Sequence, residues 1–120
     1  MFVSRKAVAA LGLAACLAFP AVSVARDANS DDIECVAIAL VMTGMSDPEI
    51  AQAGALTAFY FSGRIEGRDP KIDVMGLATA ALARMTPAQT QAAATRCGKQ
   101  LEAKGAEWTA RGKELEAQGK

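Results

Sequence analysis

The sequence predicts an all-α fold: a small four-helix domain in which one disulfide links the first and last helices. Apolar residues recur three and four positions apart, and no stretch alternates with the period of two that marks a strand. Each proline after residue 25 stands beside a helix-start signal. Two cysteines, Cys35 and Cys97, remain when residues 1–25 are set aside. We therefore assign residues 26–120 to a single helical domain.

Residues 1–25 have the three-part layout of a bacterial-type secretory signal peptide. Arg5 and Lys6 form a basic start, an apolar run follows, and the sequence Ser-Val-Ala at 23–25 carries small residues where a signal peptidase reads the chain. We expect cleavage after Ala25 and a protein that works in the periplasm.

Cys16 offers an alternative. The segment Leu-Ala-Ala-Cys at 13–16 resembles the lipobox of bacterial lipoproteins, in which the cysteine is lipidated and becomes the mature N-terminus. Residues 17–25 remain mostly apolar, whereas lipoproteins usually become polar after that cysteine. Removal of Cys16 with the signal is the favoured interpretation, and contact with a membrane is expected only if Cys16 is lipidated.

The remaining cysteine pair predicts a disulfide. An even number of cysteines in a small exported domain is typical of an oxidising compartment, and two cysteines allow one intramolecular connection. Closing a loop of about 60 residues stabilises a protein by about 4 kcal/mol on the chain-entropy model. Cys35 and Cys97 are therefore expected to join the first helix to the last.

Four start signals divide the domain into helices. A polar cap, an early proline, or a Glu or Gln three residues after the cap is typical of a helix N-terminus. The signals are Asp31 with Glu34, Ser46 ahead of Pro48, Asp69 with Pro70, and Thr86 with Pro87 and Gln89. The first two helices are expected to end at Thr43-Gly44 and near Gly67. The apolar faces predicted for the second and third helices comprise Ile50, Ala53, Leu56, Ala58, Phe59, Phe61, Ile65, and then Ile72, Met75, Leu77, Ala78, Ala81, Leu82, Met85.

The last helix contains a seven-residue repeat between residues 98 and 119. Glycine recurs at one seam position and a large apolar residue at the other. Since each glycine inside a helix costs about 1 kcal/mol relative to alanine, the stripe needs a compensating contact. The favoured interpretation is packing on another helix of the same monomer; the alternatives are a self-association or partner-binding surface, or frayed last turns. The candidate binding residues are Leu101, Gly105, Trp108, Gly112 and Leu115, between Gly98 and Gly119.

A second candidate surface lies on the second helix. Tyr60, Arg64 and Arg68 are four residues apart and line one face, and Gly63 and Gly67 allow close approach of another backbone. The arginines are interpreted either as a site for an anion or carboxylate, or as a cover for Tyr60 that pairs with nearby acidic residues. We favour the second interpretation, with Asp69 and Asp73 among the acidic partners.

Composition argues against several function classes. Histidine is absent, which removes the usual general base and the commonest metal ligand. Without Arg5 and Lys6 the chain has 11 basic and 13 acidic residues, a net charge of −2, and this balance gives no electrostatic footprint for nucleic acid. We predict no catalytic residues, metal or cofactor, and therefore a protein that is not an enzyme.

The signal peptide, the helical domain, the single disulfide and the charged segment Lys-Gly-Ala-Glu-Trp at 104–108 together resemble the HdeA/HdeB family of periplasmic acid-stress chaperones, over roughly residues 31–115. The resemblance implies a homodimer near neutral pH that partly unfolds in acid, exposes apolar surface and holds unfolded client proteins. Protonation of the 13 acidic residues below about pH 4 would leave 11 basic groups to repel one another. The alternative is an envelope interaction module that docks a partner or itself through the Gly/Leu/Trp stripe.

Overall fold

The computed structural model describes residues 27–119. Within that range the chain forms four helices and no strand: α1 (Ala28–Thr43), α2 (Pro48–Arg68), α3 (Val74–Arg84) and α4 (Pro87–Ala117). The predicted all-α class is confirmed. The signal peptide at 1–25 and the lipidation candidate Cys16 lie outside the described residues. None of the four helices combines the length and apolar character needed to cross a bilayer.

Helix α1 is the centre of the domain, and α2, α3 and α4 all pack against it. It is apolar around most of its circumference, as a helix surrounded by others must be. Its buried side chains are Asp32, Ile33, Cys35, Val36, Ala37 and Ala39. Helix α2 adds Phe61 and Ile65, α3 adds Val74, Ala78 and Ala81, and α4 adds only Ala93 and Cys97.

The predicted disulfide is present. Cys35 and Cys97 are bonded with their Cα atoms 5.7 Å apart, and both residues are buried. Because α4 buries only one other residue, Ala93, we expect the covalent bond to be its main attachment to α1.

Local start signals placed two helices correctly. Thr86 and Gln89 form the reciprocal capping box expected for α4, with Thr86 Oγ1 accepting from the Gln89 amide at 3.2 Å. Helix α2 starts at Pro48, as expected, although its cap is Asp47 rather than Ser46. Asp47 Oδ1 accepts the backbone N–H of Glu49 at 2.9 Å.

Two predicted starts are wrong. Helix α1 begins at Ala28 with Asp27 as its cap, so Asp31 and Glu34 do not form a capping box. Helix α3 begins at Val74 rather than after Asp69. The Asp69 carboxylate accepts the Lys71 amide at 3.2 Å, which makes a local turn of the proline-containing segment. Asp73 then caps α3 through the Gly76 amide at 2.9 Å.

Several positions assigned to apolar faces are exposed. On α2 the solvent-exposed fraction is 63% for Leu56 and 77% for Phe59, and on α3 it is 58% for Met75. Leu77 and Leu82 of α3 are also exposed. Helices α2 and α3 pack mainly against α1. In the described part of the chain, no other element covers their outer sides.

Helix α2 closely approaches the end of α1 at Gly54. A Cβ at this position would lie 2.7 Å from Met42 Cβ and 2.8 Å from the Thr43 amide nitrogen. We predict that Gly54→Ala lowers the free energy of unfolding by about 2 kcal/mol, because backbone must move to admit the methyl group. Gly63→Ala is the matched control: its Cβ would meet nothing within 4 Å, so better helix propensity should stabilise by about 1 kcal/mol. Urea denaturation of both variants measures the contrast, and equal effects would contradict it.

Candidate functional site

The most buried charged group of the described residues is the carboxylate of Asp32, on α1. Asp32 is 1% exposed, and its Oδ2 lies 3.2 Å from Nε of Arg64 and 2.5 Å from Nη2 of Arg68. Arg68 also donates from Nε to Oδ1 of Asn29 at 2.6 Å. The buried carboxylate of Asp32 therefore links α1 to α2 by binding the guanidinium groups of Arg64 and Arg68.

Arg64 connects three helices. Besides Asp32 on α1, its Nη1 donates to Oε1 of Gln100 on α4 at 2.6 Å. Its guanidinium carbon lies 5.5 Å from the ring centroids of both Tyr60 and Phe61, in the range of a cation–π contact. The predicted cover of Tyr60 by arginine is present on this side of α2.

The acidic partner of these arginines differs from the expected one. Sequence proximity pointed to Asp69 and Asp73, whereas the structure shows Asp32, 36 positions before Arg68. Gly63 and Gly67 make no close approach to another backbone, because a Cβ at either would meet nothing within 4 Å. The planar donors of Arg64 and Arg68 are directed at groups of the chain itself.

A second ionic contact joins α4 to α1. Arg96 Nη2 lies 2.7 Å from Oε2 of Glu34 and 3.9 Å from Oδ1 of Asp31, and it donates to the Asp31 carbonyl at 3.3 Å. Asp31 and Glu34, which have the spacing of a capping box in the sequence, therefore bind Arg96 of α4 instead.

We call these six side chains the ionic clasp. All its carboxylates lie on α1 and all its guanidinium groups lie on the helices that pack against it. Ion pairs in such partly buried positions are screened less by solvent than surface pairs, and removal of one partner leaves charge that the surroundings cannot stabilise. Protonation of the carboxylates would leave only positive charge in the clasp. Its members are Asp31, Asp32 and Glu34, with Arg64, Arg68 and Arg96.

The last two glycine heptads of α4 lie beyond the bundle. Residues 105–119 are all exposed, and a Cβ at Gly98, Gly105 or Gly112 would meet nothing within 4 Å. From residue 105 onwards, the expected packing of this stripe on another helix of the monomer is therefore wrong for the described part of the chain. The helix nevertheless continues to Ala117.

The large residues of this stripe change environment along α4. Leu101 packs against the core, whereas Trp108 is 71% exposed and Leu115 is also exposed. We use the term α4 seam for Gly98, Leu101, Gly105, Trp108, Gly112 and Leu115. Most of the seam faces solvent in the monomer.

Local ion pairs support the projecting part of α4. Lys104 Nζ lies 2.5 Å from Oε2 of Glu107, and Arg111 Nη1 lies 2.9 Å from Oε2 of Glu114. The hydrogen bond to Glu107, followed by its charge, raises the pKa of Lys104 above its ordinary value of 10.5. Since the pKa of Lys104 is raised, its pair with Glu107 contributes fully to stability at a pH below that ordinary value. This contribution is lost as the pH rises through the higher pKa of Lys104 in the folded protein.

A cleft of about 350 Å³ lies between α1 and the region of α3. Its lining combines apolar Ile33, Ile72 and Leu77 with the carboxylates of Asp27 and Asp69. Within residues 27–119, no three His, Cys, Asp or Glu side chains are grouped so that they could hold a metal ion.

The chain matches no protein-family model, no curated protein and no solved structure.

Proposed function

We propose that this protein is a non-enzymatic holdase chaperone of the periplasm that becomes active in acid. The observation that supports the proposal is the ionic clasp, because the contacts of α1 with both α2 and α4 include pairs between carboxylates and arginines. Ordinary carboxylates lose their charge below about pH 4, whereas arginine keeps its charge throughout. Acid thus removes one sign of charge from the clasp.

Loss of the Asp32 charge would open the contact between α1 and α2. Asp32 is the only carboxylate that binds Arg64 and Arg68 in the described part of the chain. Once Asp32 is neutral, the guanidinium groups of Arg64 and Arg68 repel each other, and hydration of their charges favours their movement into water. The separation of α2 from α1 would then expose Phe61 and Ile65, which are fully buried in the closed domain. Apolar side chains of this size bind unfolded clients through the hydrophobic effect.

The disulfide would limit how far the domain opens. Cys35 and Cys97 keep α1 and α4 joined even when Arg96 loses its carboxylate partners. A crosslinked chain has fewer open conformations, which favours return to the closed domain when the pH rises. This combination of a labile ionic contact and a permanent covalent one suits a reversible switch.

Apolar surface is already present in the closed domain. Leu56 and Phe59 on α2 and Met75 on α3 are more than half exposed. Exposed apolar side chains contribute to an interaction surface where they form a contiguous patch. They would extend the surface that acid uncovers, and the resemblance to the HdeA/HdeB family supports the same function.

The test is a client-aggregation assay with the purified, oxidised protein. Light scattering of an unrelated enzyme that aggregates in acid is followed at pH 7 and at about pH 3, where most carboxylates are protonated. We expect suppression of aggregation only in acid, with recovery of the original circular dichroism on neutralisation. Absence of suppression at both pH values would reject the holdase function.

A second candidate function is an envelope interaction module that docks a partner through the α4 seam. The uncovered seam, with Trp108 exposed, is the observation in its favour. This function requires no acid switch. It therefore predicts that near-ultraviolet circular dichroism, which reports fixed side-chain packing, is the same at pH 7 and at about pH 3.

A further inference from the structure

The projecting part of α4 lacks the contacts that normally stabilise a helix. Isolated helices shorter than about 12–15 residues are marginal in water, and each internal glycine lowers helix stability by about 1 kcal/mol. The exposed residues of α4 after Lys104 include Gly105 and Gly112 and touch no other element of the described chain. A helix of this composition gains most from a second helix packed on the seam.

The seam has the pattern of a coiled coil. With Gly98, Gly105 and Gly112 at position a, the large residues Leu101, Trp108 and Leu115 fall at position d. A d side chain inserts between the a residues that precede and follow it on the facing helix. For Trp108 those two residues are glycines, which leave room for an indole that larger a residues would exclude.

The charged residues beside the α4 seam indicate which partner helix it binds. Position g holds Lys104 and Arg111, and position e holds Glu102 and Glu116. In a parallel pair of identical helices, g of one heptad faces e of the next heptad on the other chain, so that Arg111 faces Glu116 on both sides of the dimer. Lys104 then faces the neutral Thr109, and no like charges meet.

The antiparallel arrangement is unfavourable by the same criterion. There g faces g and e faces e. The antiparallel register that pairs the whole seam sets Lys104 of each copy against Arg111 of the other. Like charges in such positions oppose association.

We infer that the α4 seam binds a second copy of this chain, in a parallel and in-register two-stranded coiled coil over residues 98–117. Trp108 lies at its centre, and two symmetric Arg111–Glu116 pairs set its direction. This inference does not rest on the holdase function, because it concerns the closed protein at neutral pH.

Charge reversal tests both the occupant and the direction. Sedimentation equilibrium of the oxidised protein at pH 7, from about 10 to 500 µM, should show a dimer. Arg111→Glu and Glu116→Arg should each weaken the dimer by about tenfold, since each sets like charges face to face. The double variant carrying both changes should return to within about threefold of the natural chain.

The matched control is Glu114→Gln. Arg111 also pairs with Glu114 along its own helix, so this variant removes the local ion pair without changing position e or g. It should alter the dimer dissociation constant by no more than about twofold. Trp108→Ala, which empties the centre of the seam, should leave a monomer with the circular dichroism of the core helices retained.

Three results would overturn the inference. The first is a monomer at every concentration. The second is failure of the double variant to recover, which would mean that residues 111 and 116 do not face each other. The third is tighter association of Arg111→Glu, which an antiparallel pair predicts because residue 111 would then face Lys104 of the second copy. A negative result in the aggregation assay would reject the holdase function and leave this inference intact.

Discussion

Replacement of both cysteines by alanine, Cys35→Ala with Cys97→Ala, is expected to lower the free energy of unfolding by about 4 kcal/mol. The two residues are 62 positions apart, so the crosslink removes much conformational freedom from the unfolded chain. Total stabilities of single domains are about 5–15 kcal/mol, which makes this loss a large fraction of the whole. Urea denaturation at pH 7 measures it.

The same variant tests how α4 is attached. Without the disulfide, α4 retains Ala93 as its one unaltered buried residue and Arg96 as its ionic contact with α1. We expect limited proteolysis to cleave α4 faster than α2. A loss of stability below about 1 kcal/mol, with α4 equally protected, would show that the packing of α4 does not depend on the bond.

Asp32→Asn is expected to lower the free energy of unfolding at pH 7 by about 3 kcal/mol. The amide has nearly the shape of the carboxylate but carries no charge, so it leaves Arg64 and Arg68 without their acidic partner. Thermal denaturation should show a fall of about 12–24 °C in Tm, given the usual 4–8 °C per kcal/mol for a domain of this size. Glu66→Gln is the control, because that carboxylate is exposed on α2 and should change Tm by little. An equal fall in Tm for Asp32→Asn and Glu66→Gln would contradict the role assigned to the Asp32 carboxylate in joining α1 to α2.

Features with a local chemical signal were predictable from the sequence. The Thr86 capping box and the stop at Gly44 depend on residues within one helical turn, so neighbouring positions were sufficient. The Cys35–Cys97 bond is long-range, but it followed from the presence of two candidates and from the export that the sequence predicts.

The same local signals failed where a distant residue competed for them. Asp31 and Glu34 have the spacing of a capping box, but Arg96 of α4 binds them, and Asp27 caps the helix instead. Asp69 forms a turn with the following residues rather than a helix start. A short stretch of neighbouring residues does not reveal such competition from a distant part of the chain.

The ionic clasp was predictable only in part. The spacing of Arg64 and Arg68 predicts that they share one helical face and have acidic partners. It does not identify Asp32 as the partner, because Asp32 is far away along the chain. One usable signal existed: Asp32 is a charged residue within an otherwise apolar and central helix, and buried charges require partners. Gly54 had no comparable signal, because nothing local separates it from the other glycines of α2.

The most direct test of the acid switch compares the pH at which aggregation is suppressed for the natural chain and for Asp32→Asn. The variant lacks the charge that acid would remove, so its clasp is already weakened at neutral pH. We expect it to suppress aggregation of the same test enzyme from a higher pH than the natural chain, with Glu66→Gln showing no shift. The same onset for the natural chain and Asp32→Asn, or no suppression by either protein at any pH, would contradict the proposal that opening of the ionic clasp activates this protein.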